Sequence, residues 1–267
     1  MYKKSLGFVL LIFFGFLLKP IISEGYGQEL NYAFQKGEKL HYRVFYDGPL
    51  FVRVHAGKAI LELSNNSDIL QDRKTFHAIS TGFSNSTFDM FFKVRDRFES
   101  WFDEETLKPY RFIRRTNEGG YVVNDDVDFD YKAGIAKSRK KKVKIKDNTQ
   151  DLVSAYYFAR NLDISHLKID DVFPLDFYLD DSVYTSAIVY KGIEIVETRI
   201  GKFRCMKFLP MVITGEVFGN PYPMSLYISD DKNRIPVLIK SEIVVGSVKA
   251  EITEYEKLKY PLDSKIE

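Results

Sequence analysis

From Glu38 onward, polar and apolar residues alternate with a period of two, and a chain patterned this way folds as a sheet with one dry face. Leu40, Tyr42, Val44 and Tyr46 share one side of the first run, while Lys39, His41 and Arg43 share the other. Similar runs are predicted at Val52–Leu63, Lys74–Phe83, Val94–Asp103, Pro109–Arg115, Tyr121–Tyr131 and Ile135–Lys146. Turn-forming clusters separate them: Ser64-Asn65-Asn66-Ser67, Asp103-Glu104-Glu105, Asn117-Glu118-Gly119-Gly120 and Lys132-Ala133-Gly134. The second half repeats the habit at Val172–Leu179, Val183–Tyr190, Ile193–Ile200, Cys205–Thr214, Pro223–Ser229, Ile235–Val245 and Ser247–Leu258. Gly192, Gly201-Lys202 and Asp230–Asn233 punctuate these runs, and Gly246 marks a tight final hairpin. Short connections leave no room for parallel crossovers, so the expected fold is mainly β and antiparallel. The 22 Phe and 17 Tyr favour the same reading.

Two stretches depart from the pattern. Thr149–Asn161 places Leu152, Ala155, Tyr156 and Ala159 at helical spacing, with Asn148 or Thr149 as a cap and Asp151 in the first turn. Asn85–Lys93 sets Phe88, Phe91 and Phe92 at i, i+3 and i+4 after a polar start, which predicts a short helix or an apolar loop.

The N-terminus sets the compartment. Lys3 and Lys4 precede the uncharged apolar run Leu6–Leu18, Lys19 and Pro20 close it, and Ile21–Gln28 turns small and polar. That order matches a secretory signal peptide. The run, about 13 residues, is short of the ~20 a membrane-crossing helix needs. Residues 1–27 are therefore read as a signal peptide cleaved near Gln28, with an uncleaved anchor as the alternative. No Cys follows the apolar run to take a lipid. Residues 28–267 are expected to form a single β-rich domain, soluble in the periplasm of a Gram-negative-type cell or associated with its outer membrane. A subdomain break near 147–165 stays open. Loss of Lys3, Lys4, Lys19 and Glu24 takes the formal charge from +2 to neutral, which argues against nucleic acid as a partner.

Reactive constellations are not evident. His41, His55, His77 and His166 are dispersed without metal-ligand spacing, so no metal site and no cofactor are expected. No nucleophile elbow, phosphate loop or dinucleotide fingerprint occurs. Asp125-Asp126, Asp170-Asp171, Asp180-Asp181 and Asp230-Asp231 are adjacent acids; neighbours in a strand face opposite ways and most of these pairs sit at strand ends or turns, so turn chemistry is the expected role. Cys205, the only Cys, is expected to be buried in a strand. The chain is read as a non-enzyme, with a hydrolase of unrecognised site as the weakest alternative.

Two features point to binding. Phe88, Met90, Phe91 and Phe92 could be plain core, or could line a pocket for an apolar ligand with Tyr156 of the second helix. Seven of the ten residues Lys137–Lys146 are cationic. Centred on Lys140, Lys141 and Lys142, they would either meet an anionic envelope surface or protect a sheet edge from aggregation.

Several segments together resemble a bacterial envelope family known as domain of unknown function 3108. They are Phe34-x-x-Gly37-Glu38-x-Leu40-x-Tyr42, Phe92–Ser100, Leu107–Phe112, Asp151–Tyr157 and Ser229–Val237. The resemblance implies an envelope location and brings no catalytic motif. It also implies a fold like that of lipoprotein carriers: a large curved antiparallel sheet, a half-barrel or open barrel, with one or two short helices on its concave face. The functional expectation is a periplasmic protein holding a lipophilic component there; the alternative is a structural protein docking on an envelope complex.

Overall fold

The computed structural model describes residues 32–48, 53–211, 223–243 and 245–267, so the signal-peptide reading lies outside the described residues. In chain order the elements are β1 (Lys39–Asp47), β2 (Arg53–Leu70), β3 (Arg73–Ser84), α1 (Ser86–Asp89), β4 (Val94–Asp103), β5 (Pro109–Glu118), β6 (Tyr121–Asp130), β7 (Ile135–Lys137) and β8 (Lys142–Lys144). There follow α2 (Ser154–Ala159), β9 (Val172–Leu179), β10 (Ser182–Thr198), β11 (Gly201–Pro210), β12 (Met224–Ser229), β13 (Pro236–Glu242) and β14 (Ser247–Glu256). The strands form one sheet in the order β8-β7-β6-β5-β4-β3-β2-β1-β14-β13-β12-β11-β10-β9. It is mainly β, antiparallel throughout its ladder and not closed.

Turn chemistry makes the meander possible. The β2–β3, β5–β6 and β9–β10 hairpins turn on Gln71-Asp72, Gly119-Gly120 and Asp180-Asp181, and all six residues have positive φ. Two consecutive residues of that kind match the right-handed twist of the strands they join. Three expected boundaries differ: two breaks are absent and one strand is split. Ser64–Ser67 lies inside β2, where the register with β3 slips between Leu63 and Ser67. Gly192 lies inside β10, beside a slip between Tyr190 and Ile193. Both are bulges rather than turns: polar or flexible residues there absorb an extra position and bend the strand. The third reading, one strand over Ile135–Lys146, gives way to the β7–β8 hairpin, with Ser138 N donating to Lys141 O at 2.9 Å.

Curvature brings the two sheet edges together. Gln150, just beyond β8, donates from its backbone to Asp176 O at 3.1 Å and accepts from Tyr178 N at 2.8 Å, both on β9. Lys146 Nζ reaches Asp176 at 2.7 Å across the same seam. The result is an open barrel, and α2 is its plug: all six residues Ser154–Ala159 are buried. The helix is shorter than the expected Thr149–Asn161 because Asp151 ends the extended approach. Its Oδ1 accepts from Val153 N at 2.7 Å and Ser154 N at 2.8 Å, while Ser100 donates to Oδ2 at 2.5 Å.

Asp151 is fully enclosed, and burial pushes its carboxyl up to about 6 despite these hydrogen bonds. A carboxyl raised on folding binds its proton more tightly in the native state, so this contribution is most favourable at low pH. It is lost as pH rises from about 4 to about 6. Asp151→Asn keeps an acceptor for the two amides and cannot ionise. Its stability relative to the parent should therefore rise across that window, by an amount on the order of 1–3 kcal/mol. Urea midpoints measured from pH 4 to pH 7 check this; a pH-independent difference would rule Asp151 out as the titrating group.

Candidate functional site: an apolar mouth over a polar interior

The plug end of the barrel is built around a buried ion pair. Arg160, at the C-terminal end of α2, and Glu38, just before β1, form an ion pair in which both side chains are at most 2% exposed. Two parallel hydrogen bonds of 2.5 and 2.8 Å join them, and Arg160 also donates to Asn233 O at 2.9 Å and Ala33 O at 3.0 Å. The guanidinium lies over Phe34, Tyr156 and Tyr157. Burial opposes its charge, yet Glu38 and the two tyrosines hold its pKa above the usual value. Tyr156 therefore belongs to the plug, beside a shallow cleft shared with Met206, Phe208 and Ile228, about 330 Å³ when counted out to solvent.

The opposite end holds an apolar cleft. Val44 and Tyr46 at the end of β1, Ala56 and Gly57 in β2, Ser84 in β3, Val94 in β4 and Val248 in β14 surround a cleft capped by Phe88 and Phe92. Counted out to its open side, the empty space is about 490 Å³. The sequence builds this cap economically. Asn85 accepts from Phe88 N at 2.9 Å, as an N-cap should. Asp89 pairs with Arg95 at 2.5 Å, tying α1 to β4. The Phe92 ring sits where a side chain on Gly119 would collide, 2.4 Å from a Cβ built there, and Gly119 also needs its positive φ of 58°.

The five candidate ligand-binding residues separate. Phe88 and Phe92 line the mouth, Tyr156 lies in the plug, and Met90 and Phe91 point outward at 75% and 80% exposure. The i, i+3, i+4 pattern placed Phe91 on the face of Phe88, but α1 ends at Asp89. One turn of helix cannot carry the phase to residue 91.

Beneath the mouth lies a polar patch that strand-by-strand reading missed. Gly82, Asp96 and Thr116 are register partners across β3, β4 and β5, on the inner face with Ser84, Val94 and Glu118. They lie two residues, about 7 Å, further in than the mouth wall. Asp96, Thr116 and Glu118 are 5%, 3% and 2% exposed. Burial raises the Asp96 carboxyl to about 6, even though Glu118, Asn117 N–H and Arg114 all act to lower it. Arg114, next inward on β5, donates to Asp180 at 2.7 Å. Thr116 Oγ1 and Arg114 Nε have no hydrogen-bond partner among the described residues. The missed signal was in the alternation itself: Asp96, Thr116 and Glu118 fall on the dry face, in phase with Val94, Phe98 and Phe112.

Other expected features take structural places. Cys205 is buried, and burial pushes its thiol up to about 12, where it is no nucleophile at neutral pH. His77 stacks on Trp101 and contacts Glu99 at 2.9 Å, and His41 contacts Glu256 at 3.1 Å. Lys140, Lys141 and Lys142 are exposed in and beside the β7–β8 hairpin, and β8 is an edge of the sheet. Lysine there discourages edge-to-edge pairing with another chain.

An open antiparallel barrel with a buried helical plug and one apolar mouth defines a barrel-like protein of the single-sheet class. Within that class the chain belongs to the family described as Protein of unknown function (DUF3108), whose sequence profile matches residues 40–253. It is similar in fold to a solved β-barrel-like protein of domain of unknown function DUF1849 from Brucella abortus: TM-score 0.57, 10% identity, 84% of this chain and 99% of that one. Weaker likenesses are to "a putative lipoprotein" from Parabacteroides distasonis (TM-score 0.33, 10% identity, 86% and 100% covered) and "a putative exported protein with YmcC-like fold" from Bacteroides fragilis (0.31, 10%, 84% and 97%). Likenesses that weak say nothing about the site. No curated protein matches the sequence.

Proposed function

We propose that this is a non-enzymatic periplasmic binding protein that holds the apolar part of a lipophilic envelope component in the mouth beneath Phe88 and Phe92. The observation that carries the reading is the contrast between the two ends. At the other end α2 and a buried ion pair occupy the interior and the open groove beside Phe34 is lined largely by charged side chains, whereas the mouth is lined almost wholly by apolar ones and capped by a single helical turn with no buried residue. The cleft suits one slim chain or ring rather than a whole lipid, and its lining supplies contact area with few polar groups to fix orientation.

N-phenyl-1-naphthylamine, neutral at pH 7, tests this. Titration should give saturable fluorescence enhancement with one site per chain, reversed by an excess of an unlabelled long-chain alcohol. Enhancement that never saturates, or none at all, would remove the reading.

A further inference from the structure

The rim of the mouth carries apolar side chains that the barrel does not bury. The most exposed aromatic side chains among the described residues, Phe83, Phe91 and Tyr121, all lie at this end, as do Met90, Val122 and Val245. They come from separate places in the chain: the end of β3, the α1–β4 connection, the start of β6 and the β13–β14 turn. Register gathers them around one opening. Val94 pairs with Glu118 and Glu118 with Tyr121, while Tyr46 in the cleft wall donates to Val245 O at 3.0 Å. Met90 and Phe91, neighbours in the chain, are 75% and 80% exposed. Hydrogen bonds fix their backbone from both sides: Phe91 N and Phe92 N donate to Phe88 O at 2.9 Å, and Gly119 N donates to Lys93 O at 2.8 Å. The fold thus holds two large apolar side chains out in solvent, where neither adds to the core.

Cations accompany these tips. Lys93 follows Phe91 and Phe92, and Lys58 is the register partner of Phe83; both are exposed, and neither makes an ion pair with a described residue. Asp47 and Asp89 at the same end are each held by an arginine, and Glu242, at the end of β13, stays exposed.

We propose that this rim docks on the surface of an anionic phospholipid bilayer. Met90, Phe91, Tyr121 and Val245 enter the headgroup layer, and Lys58 and Lys93 meet lipid phosphates. Separate tips suit a bilayer better than a protein partner. A fluid interface closes around each one, whereas a protein surface must match all of them at fixed spacing. Aromatic rings flanked by lysines are also the side chains that settle at a membrane interface. Docked this way, the barrel turns its apolar cleft toward the lipid, and an oily molecule reaches it without crossing bulk water. The docking itself stands whether or not the cleft takes a ligand.

Co-sedimentation with vesicles of phosphatidylethanolamine and phosphatidylglycerol tests this without any cleft ligand. The parent is expected to pellet with the vesicles, and less of it as salt is raised. Met90→Ala/Phe91→Ala should weaken that binding roughly tenfold, while in the absence of vesicles it takes up N-phenyl-1-naphthylamine like the parent. Ile69→Ala, a similarly exposed site at the far end of β2, should bind vesicles as the parent does. A parent that stays in the supernatant at low salt overturns the proposal. So does binding that survives Met90→Ala/Phe91→Ala but is lost in Lys140→Gln/Lys141→Gln/Lys142→Gln, which moves the contact to the β7–β8 hairpin. Sedimentation velocity without vesicles covers the other occupant of such a rim. A dimer of the parent that Met90→Ala/Phe91→Ala dissolves would assign the surface to a second copy of the chain and overturn the bilayer. Vesicle binding by a protein that never takes up the probe supports the docking and removes only the reading of the cleft.

Discussion

Replacing Arg160 by Met is expected to lower the stability of the folded protein by about 3–5 kcal/mol, the largest effect of any single side chain described above. Glu38 is 1% exposed and would lose the cation beside it. Ala33 O and Asn233 O would each lose a donor. For a chain of this size the loss corresponds to a drop in melting temperature of roughly 6–20 °C. Glu38→Met in the same background removes the stranded carboxyl, so the double variant should recover much of the loss, remaining below the parent by the cost of the two orphaned carbonyls, about 1–3 kcal/mol. The non-additivity is the informative quantity. It shows whether the pair stabilises the barrel or fixes the position of α2 at a cost. A single variant that melts within two or three degrees of the parent (roughly 1 kcal/mol) would mean that the plug is held by its aromatic contacts alone.

The second large effect concerns the mouth. Phe88→Ala/Phe92→Ala should weaken binding of the neutral probe at least tenfold, because each ring contributes on the order of 1 kcal/mol of contact even when only partly enclosed by ligand. Met90→Ala/Phe91→Ala should leave binding within twofold, since both side chains face outward. The two double variants remove similar apolar bulk from the same nine-residue segment, so the comparison separates a lined cleft from a generally sticky surface. Comparable losses in both would contradict the geometry. Because Phe88 and Phe92 are only half-buried, thermal melts of the variants should stay close to that of the parent.

How much of this was legible in the sequence depends on the range of the determining contact. β4 spans Val94–Asp103 as the alternation predicts, because its pattern, its neighbours and its turns are all local. The polar start before Phe88 predicts a short helix or an apolar loop, and the structure makes Asn85 the N-cap of a single turn. Gly192 and Ser64–Ser67 were misread as turns because a bulge and a turn draw on the same residue types, and only the partner strand decides between them. Alternation predicts one strand over Ile135–Lys146, yet Ser138 turns it back on itself through its hydroxyl, which accepts from Lys140 and Lys141 N–H at 3.0 Å. Asp96 and Glu118 escaped notice for a related reason. Each is an ordinary acid in its own strand, and only the β4–β5 register places them together on the inside.

The family-like segments bear on the same point. Phe34 and Glu38 from the first, Tyr156 and Tyr157 from the fourth and Asn233 from the fifth all meet Arg160 at the plug. Much of what makes the sequence resemble its family thus holds the barrel together rather than forming the mouth. Phe92, Val94 and Asp96 are the exceptions, two at the mouth and one just beneath it.

Native mass spectrometry of the protein released gently from its own cell envelope bears most directly on the central claim. The expected spectrum shows, beside the bare chain, a population heavier by one small lipophilic molecule, which organic extraction removes and the Phe88→Ala/Phe92→Ala variant lacks. A spectrum of bare chain only, unchanged by extraction, from protein that also fails to take up the neutral probe, would contradict it.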